Sequence, residues 1–313
     1  MRRTIELSPG AAGRLDRALA DQLGLGRAAV KRAFALGEVR VRGRRARAAD
    51  PAEPGLQVEI DVEGPAGPPV PQPDLALTVL AESPRLLVVD KPAGVAVHPL
   101  APGEVGTLAN AVVARYPECA HSSPAPREGG ALHRLDVETS GCVAFARDLE
   151  AWKLVHPRLS GGGEVEKRYR ALVAGRLAAG GVSSVPLAQR GGRVVAAPDA
   201  LAEDRLRGKG FRPRPAETRW EVERRYLGHT LLSVHLLTGV MHQIRAHLAL
   251  LGHPVAGDAL YGGAGAALPG LSRHFLHASR LALRVPGLEG IEATSPLPPE
   301  LARVLDALEP EPS

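Results

Sequence analysis

Residue types that can do chemistry are concentrated in one short segment in the middle of the chain. Residues 132–141 read Leu-His-Arg-Leu-Asp-Val-Glu-Thr-Ser-Gly and separate two apolar runs. A carboxylate beside basic side chains and hydroxyls can act as a nucleophile or in proton transfer. Asp136 is therefore the first candidate catalytic residue. The alternative is a turn-forming aspartate whose side chain bonds the backbone near Thr139.

Three other segments combine charged or aromatic side chains with glycines. Residues 90–99 follow an apolar run and read Asp-Lys-Pro-Ala-Gly-Val-Ala-Val-His-Pro. Residues 167–175 place Tyr169 between two arginines and end on glycine, and residues 238–262 contain Arg245 and the sequence Gly-Asp-Ala-Leu-Tyr-Gly. Catalytic groups must converge in space, so the fold has to bring these segments to Asp136.

The overall composition is that of an ordinary globular chain. With 313 residues, 44% hydrophobic and 23% charged, it is long enough for two domains. Its two cysteines, Cys119 and Cys142, allow neither a disulfide framework nor a cysteine-rich zinc site. The first ten residues lack the apolar core of a signal peptide, and no run approaches a membrane span. We therefore expect a cytoplasmic protein with no membrane partner.

Positive charge is concentrated at the amino-terminal end. Residues 1–60 contain 12 Lys and Arg against 7 Asp and Glu, which accounts for the whole formal net charge of +5. The densest part has a single acid, Glu38, among the basic residues Arg27, Lys31, Arg32, Arg40, Arg42, Arg44, Arg45 and Arg47. Such a cluster suits neutralisation of nucleic-acid phosphates. The alternative is a solvated basic face without a ligand.

This basic region also has a readable local structure. Apolar residues at helical spacing predict one helix over residues 15–23 and a second over residues 30–34, which ends before Gly37. Residues 39–43 alternate valine with arginine before a glycine, which predicts a hairpin with arginines on one face. The pattern resembles the small α-L RNA-binding module of ribosomal proteins and RNA-modifying enzymes. The resemblance implies RNA contacts by Arg27, Lys31, Arg32, Arg40 and Arg42.

Proline marks the end of this module. Residues 61–74 contain five prolines and little that could pack, which indicates a semi-rigid linker. We therefore predict an RNA-binding module over residues 1–60, a linker over 61–74, a catalytic domain over 75–308 and a short tail over 309–313.

The second domain is predicted to be α+β with a largely antiparallel mixed sheet. Three helices are expected: one capped by Thr107, one capped by Asp148, and one over His242–Leu251. Strands are expected at residues 86–89, 142–145, 169–173, 193–196, 218–222 and 231–236. Neighbouring strands lack regular crossover helices, which disfavours a doubly wound sheet.

Taken together, the four segments resemble the catalytic domain of the RluA-like pseudouridine synthases. The pattern His-Arg-Leu-Asp-x-x-Thr-Ser-Gly at residues 133–141 is highly specific, and the resemblance extends over about residues 86–283. It implies an isomerase that detaches the uracil of a uridine in structured RNA, turns it and reattaches it through a ring carbon. Atoms are conserved overall, so neither a metal nor a cofactor is implied.

The resemblance also implies roles for individual residues. Asp136 corresponds to the nucleophile, with attack on the uracil ring or on the ribose left open, and Arg245 to the cation that keeps it ionised against desolvation. Tyr169 would stack on the uracil and assist proton transfer, and Arg134 would enter the space of the extracted base. A core tyrosine and a surface ion-pair arginine are the alternatives. The other residues expected at the RNA or base are His133, which orients the loop, Thr139, His242 and Gln243.

Two features of the segment around residue 242 bear on metal binding and on the substrate. His242 and His247 lie five residues apart, on different helix faces, whereas zinc-binding helices place such a pair four apart, so no metal site is expected. Val240-Met241 stands where the family usually has an arginine-containing pair. The resemblance implies that this arginine mainly helps hold the loop or the RNA backbone, so its absence bears on the substrate rather than on the chemistry.

Three functional classes remain open from the sequence. A pseudouridine synthase is favoured over a noncatalytic RNA-binding or ribosome-assembly factor of the same fold. A base deaminase is least supported, because its zinc-ligand spacing is absent. We expect large-subunit ribosomal RNA as the substrate, transfer RNA as the second choice, and a monomeric enzyme.

Overall fold

The computed structural model describes residues 2–23, 27–61, 67–160 and 163–312, which form two compact units. The first unit comprises the described residues up to Gly67 together with Leu100–Gly103. The second comprises Pro68–Pro99 together with the described chain from Glu104 onward.

Only part of the predicted linker can be placed. Residues 62–66 lie outside the described part of the chain. Further along, the Gln72 backbone N–H donates to the Asn110 carbonyl oxygen at 3.0 Å, and the Asn110 side chain donates to the Val70 carbonyl oxygen at 2.8 Å. The linker region from Pro68 is thus hydrogen-bonded into the second unit.

The first unit is a four-stranded antiparallel sheet with two helices, in the strand order β1-β4-β2-β3. Its elements are β1 (Arg2–Glu6), α1 (Leu15–Leu23), α2 (Arg27–Leu36), β2 (Val39–Val41), β3 (Arg44–Arg45) and β4 (Gln57–Asp61). Both predicted helices and the predicted hairpin are confirmed. Leu15, Leu19 and Val30 are buried against the sheet, whereas Arg40 and Arg42 are exposed on the hairpin.

The second unit contains the remaining described strands and helices. They are β5 (Thr78–Glu82), β6 (Leu86–Lys91), α3 (Leu108–Arg115), β7 (Ser140–Ala146), α4 (Leu149–Val155), β8 (Val165–Ala174), β9 (Gly181–Ser183), β10 (Leu187–Arg190), β11 (Arg193–Ala196), α5 (Ala200–Gly208), β12 (Thr218–Tyr226), β13 (His229–Leu236), α6 (Gln243–Leu250), β14 (Leu276–Leu283), β15 (Ile291–Thr294) and α7 (Pro299–Ala307). The six predicted strands and three predicted helices are all present, and the expected α+β class is confirmed.

One large sheet organises this unit, in the order β5-β6-β7-β14-β8-β13-β12-β9, with β15 on β14. Among the described strands every pairing is antiparallel except that between β7 and β14. Strands β10 and β11 form a separate hairpin.

Both faces of the central strands are covered, which explains their continuous apolar runs. In β6, Leu87 and Val89 belong to a core shared with α3, α6 and α7, whereas Leu86 and Val88 belong to a second core shared with α4 and β15. Successive side chains of a strand point to opposite faces, so a strand covered on both sides needs apolar residues at every position.

The parallel pairing positions the segment that contains Asp136. Gly141 lies at the start of β7 with φ of +114°, and a Cβ there would meet the Ala278 carbonyl oxygen at 2.2 Å. Only glycine permits this approach of the two backbones. The turn that precedes β7 is thereby fixed beside the start of β14.

Candidate active site

Asp136 lies in a turn that is closed by a main-chain hydrogen bond, so the turn does not use its carboxylate. The Thr139 N–H donates to the Asp136 main-chain carbonyl at 3.0 Å, so the turn is closed by the main chain. The side chain extends instead to Arg245, whose Nη1 lies 2.7 Å from Asp136 Oδ2. This geometry differs from that of a turn-forming aspartate, in which the carboxylate would bond the nearby backbone.

A buried lysine, Lys91, is hydrogen-bonded to the turn that contains Asp136. Lys91 Nζ donates to three main-chain carbonyl oxygens, those of Val137 at 2.8 Å, Pro92 at 2.9 Å and Val95 at 2.7 Å. Its side chain is fully buried, and burial lowers the pKa of Lys91 to about 8. Lys91 therefore ties the loop after β6 to the turn that carries Asp136.

Two residues just before β14 hold the other side of the turn. Arg273 Nη1 donates to the Glu138 carbonyl oxygen at 2.8 Å, and Arg273 Nη2 donates to Ser140 Oγ at 3.0 Å. His274 Nε2 lies 2.8 Å from Thr139 Oγ1. Burial lowers the pKa of His274 to about 4, so its ring is neutral at neutral pH. Thr139 is 2% exposed, and its hydroxyl is hydrogen-bonded to His274 rather than available to a ligand.

Arg245 joins two carboxylates in the interior. Its Nε and Nη2 bind the two oxygens of Asp258 at 2.7 and 2.8 Å, while Nη1 binds Asp136. Burial works against the charge of Arg245, but hydrogen bonds to both aspartates outweigh it and raise the pKa of the guanidinium. Burial likewise opposes ionisation of Asp258, yet Arg245 lowers the pKa of that carboxyl. The guanidinium is therefore held by Asp258 through Nε and Nη2, which leaves Nη1 to bind Asp136.

Asp136 and Arg245 line a pocket together with other polar and apolar residues. It contains Arg134, Asp136, Tyr169, His242 and Arg245 together with Leu135, Thr139, Leu236, Val240, Gln243, Ile244 and Leu276. Four residues predicted to carry the chemistry, Asp136, Tyr169, Arg245 and Arg134, therefore line one pocket.

Tyr169 points into the pocket, as the strand alternation predicts. It is 6% exposed, whereas its neighbours Arg168 and Arg170 turn to the other face and pair with Glu166 and Glu223. Burial and the charge of Asp136 raise the pKa of Tyr169, so the hydroxyl is protonated. Within the described part of the chain this hydroxyl makes no hydrogen bond to a protein group, and Tyr169 lines the pocket, so the hydroxyl can meet a ligand.

The two basic residues before Asp136 occupy different environments. Arg134 is exposed at the rim of the pocket. His133 Nε2 accepts the Ala144 backbone N–H at 3.1 Å, and burial lowers the pKa of His133 to about 3. The neutral histidine therefore anchors the segment to β7, in keeping with the orienting role expected for it.

Gln243 is used within the protein. Its amide bonds Thr238 Oγ1 at 2.8 Å, the Val240 N–H at 3.0 Å, the Glu217 carbonyl oxygen at 2.9 Å and Thr218 Oγ1 at 3.0 Å. With 2% exposure it has little capacity left for RNA. These bonds fix the loop that carries Val240, where the family arginine is absent.

The remaining residues considered in the sequence are not among those that line the pocket. His247 bonds Thr218 Oγ1 and the Val185 carbonyl oxygen, both at 2.9 Å, so it does not point toward His242. Lys31, Arg40 and Arg42 are exposed in the first unit. The side chains of Arg27 and Arg32 lie outside the described residues.

Sequence reasoning missed several residues that build the site: Lys91, Asp258, Tyr261, Arg273 and His274. Lys91, Asp258 and Tyr261 lie in the segments that pointed to the family, but nothing in one sequence separates their roles from those of their neighbours. Arg273 and His274 precede β14 without a motif. Their partners are far away in the chain, so only the tertiary structure reveals them.

Comparisons with known proteins identify the class. Residues 85–250 match the RNA pseudouridylate synthase family. The ribosomal large subunit pseudouridine synthase D of Xanthomonas campestris pv. campestris is 37% identical over 288 residues, 87% of this chain and 81% of the relative. An uncharacterized RNA pseudouridine synthase of Chloroflexus aurantiacus is 36% identical over 308 residues, 95% of this chain and 90% of the relative.

Solved structures agree with this assignment. The human RNA pseudouridylate synthase domain containing 1 superposes with a TM-score of 0.54 and 25% identity over 75% of this chain and 89% of its own. The chain belongs to the RNA pseudouridylate synthase family. It is an isomerase that converts uridine to pseudouridine in RNA. Among the described helices, none has the length and apolarity needed to cross a membrane.

Proposed function

We propose that this protein isomerises uridine in ribosomal RNA of the large subunit, with Asp136 as the nucleophile. The nucleophilic role of Asp136 is supported by one observation: its carboxylate lines the pocket, with Oδ2 2.7 Å from Nη1 of Arg245. The first part is supported by relatives named ribosomal large subunit pseudouridine synthase D, including those of Xanthomonas campestris and Nitrosomonas europaea. Transfer RNA is the second candidate substrate.

The pocket residues divide the work of the reaction. Arg245 is hydrogen-bonded to the carboxylate and fixes its direction, and Tyr169 provides a flat face for the uracil. The bond from the ribose anomeric carbon to N1 breaks, a bond to C5 forms, C5 loses a proton and N1 gains one. The free hydroxyl of Tyr169 lies where it can assist that proton transfer. The balance holds without an oxidant, a metal or a group carrier.

Access to the pocket requires the target nucleotide to leave its stack. Arg134 is exposed at the rim and carries a guanidinium that can fill the vacated position and bind nearby phosphates. His242 and Thr139 line the same pocket. His133 and Gln243 contribute indirectly, because their polar atoms bind the protein itself.

We further propose that the first unit binds RNA through its exposed cations, Lys31, Arg40 and Arg42, with Arg27 and Arg32 as predicted members of the same surface. Phosphate neutralisation by such residues gives sequence-independent affinity that weakens with salt. The two cysteines are buried and unpaired, which fits a reducing cytoplasm. We propose a monomer that acts there without metal or cofactor.

The substrate proposal is tested with RNA transcripts labelled with tritium at C5 of uridine. Tritium release from large-subunit ribosomal RNA, and much slower release from transfer RNA, is the expected result. Asp136→Asn should abolish release and leave RNA affinity nearly unchanged. Retained release in this variant would refute the assignment of Asp136. RNA binding without any release by the parent protein would instead favour a noncatalytic factor.

A further inference from the structure

His242 has a backbone conformation that is uncommon among non-glycine residues. It is the N-cap of α6 and has φ of 53° and ψ of 21°, in the left-handed region. In the described part of the chain only Arg42 shares this property among non-glycine residues. A non-glycine residue in this region is strained, and the conformation persists when the surroundings over-determine it. The loop keeps His242 in this conformation, with the ring in the pocket.

The ring is fixed by a tyrosine that has a second partner. His242 Nδ1 lies 3.0 Å from the Tyr261 hydroxyl, which accepts the Val194 backbone N–H at 2.9 Å. Since a hydroxyl has a single hydrogen and Val194 occupies a lone pair, that hydrogen is available to Nδ1. The neutral ring then carries its own hydrogen on Nε2. Tyr261 thus selects the tautomer that presents an N–H to the pocket.

The charged groups around the ring are compatible with its neutral form. Burial, the largest effect, lowers the pKa of His242, and Arg245 and Arg134 act in the same direction. Asp136 and Asp258 oppose them, and Tyr261 is the hydrogen-bonded neighbour. The net direction is downward, so the ring is neutral at neutral pH.

The two oxygens of Asp136 are not equivalent. Oδ2 receives the Arg245 hydrogen bond at 2.7 Å, whereas Oδ1 has no hydrogen-bond donor in the described part of the chain. His242 Nε2 lies 3.8 Å from Oδ1, longer than a hydrogen bond but within reach of a small side-chain movement. Oδ1 therefore retains its lone pairs and faces the donor that Tyr261 has oriented.

We propose that Oδ1 is the attacking oxygen of Asp136 and that His242 is the positioning residue that aims it. This inference rests on the proposed nucleophilic role of Asp136. The lone pair of Oδ1 forms the new bond to carbon. If the ribose is attacked, the bond from C1′ to N1 breaks and its electron pair stays on the uracil; if the ring is attacked at C6, the C5–C6 double bond opens and its electron pair is delocalised onto the uracil carbonyl. Arg245 stays on Oδ2, which becomes the carbonyl oxygen of the ester. His242 acts through Asp136, so it affects kcat more than RNA binding.

Two variants separate the Nε2 donor from the rest of the ring. Asparagine tolerates the left-handed region and can reach Tyr261, but it has no atom at the Nε2 position. Glutamine can place an amide donor there. We expect His242→Asn to lower kcat for tritium release about 10- to 100-fold with KM for RNA unchanged. His242→Gln should recover most of this loss.

Tyr261→Phe tests the selection of the tautomer. It should lower kcat, and the double variant with His242→Asn should be no slower than His242→Asn alone, because both changes remove the same oriented donor. A kcat for His242→Asn within about twofold of the parent, equal losses for the asparagine and glutamine variants, or additive losses in the double variant would each overturn the proposal.

Asp136→Asn is measured in parallel to separate this inference from the proposed function. An active Asp136→Asn refutes the nucleophile and with it the role of His242. An inactive Asp136→Asn together with a fully active His242→Asn refutes the role of His242 alone.

Discussion

Replacing Arg245 by lysine tests how Asp136, the proposed nucleophile, is held. Arg245 makes three hydrogen bonds to two carboxylates at 2.7, 2.7 and 2.8 Å, and its side chain is 8% exposed. Lysine keeps the charge but presents one compact ammonium, which cannot match the bidentate contact with Asp258 and reach Asp136 as well. One of the two carboxylates must lose its cation.

Burial decides which carboxylate is left alone. The Asp258 side chain is 0% exposed and that of Asp136 is 23% exposed. An unpaired charge costs more at the deeper site, so the ammonium should stay with Asp258. Asp136 then loses a charge-assisted hydrogen bond of about 2–3 kcal/mol, which corresponds to roughly 30- to 150-fold in kcat. Methionine at position 245 would leave Asp258 unpaired and should cost about 3–5 kcal/mol in the free energy of unfolding.

Arg280 is a matched control. It also contacts two carboxylates, with its Nε and Nη2 on Glu292 at 3.0 and 2.6 Å and its Nη1 on Glu166 at 3.1 Å, but it is 36% exposed. Arg280→Lys should change the free energy of unfolding by less than about 1 kcal/mol and leave kcat at the parent value, because exposed ion pairs contribute little.

Single-turnover tritium release, filter binding of RNA and urea unfolding would be measured on each variant. We expect Arg245→Lys to lose kcat and to retain its RNA affinity. A kcat within threefold of the parent value, in a folded Arg245→Lys protein, would refute the claim that the hydrogen bond to Asp136 matters. Equal losses in the Arg280 control would show that burial of the network is irrelevant.

Other variants address the remaining groups. Tyr169→Phe keeps the ring and removes an unpartnered hydroxyl, so kcat should fall about 10- to 100-fold with unchanged KM and unfolding free energy; an unchanged kcat would exclude the hydroxyl from proton transfer. Burial lowers the pKa of His133 from 6.5 to about 3, so the unfolded chain takes up a proton that the folded state refuses. His133 alone should therefore lower the unfolding free energy by about 2 kcal/mol between about pH 7.5 and about pH 5, in addition to the fall caused by His274 and the other buried histidines. Urea titrations should show that the fall is smaller by about this share in His133→Gln. Arg40→Gln combined with Arg42→Gln should lower the salt slope of RNA binding by about 1–2, and an unaltered slope would exclude these residues from the phosphate contacts.

Local structure was predictable wherever neighbouring residues decide it. Asp148 accepts the Ala151 N–H at 2.8 Å, as its position before a helical pattern indicates. Strand β14 escaped prediction, because His277, Ser279 and Arg280 interrupt its apolar pattern. That strand is stabilised by pairing with β7 and β8, which are distant in the chain. Pairing of this kind overrides local preference.

The candidate site was likewise predictable only in part from the sequence. Asp136, Arg134, Tyr169 and Arg245 could be named because their types and spacing carry the family pattern, and the structure places all four on one pocket. Gln243 belongs to the pattern too, but the sequence could not tell a residue that contacts RNA from one that holds the loop. Its four internal hydrogen bonds favour the second role.

The sequence by itself determined the class of enzyme and the α+β fold, and it predicted which groups react, because these depend on residue type and local order. The tertiary structure alone decided how the groups are held. Lys91 reaches Val137, His274 reaches Thr139 and Arg245 reaches Asp136 across 46, 135 and 109 residues. Contacts between segments so far apart depend on sheet pairing and packing, and no periodic pattern in the amino-acid sequence indicates them. The asymmetry between the two oxygens of Asp136 arises from those contacts.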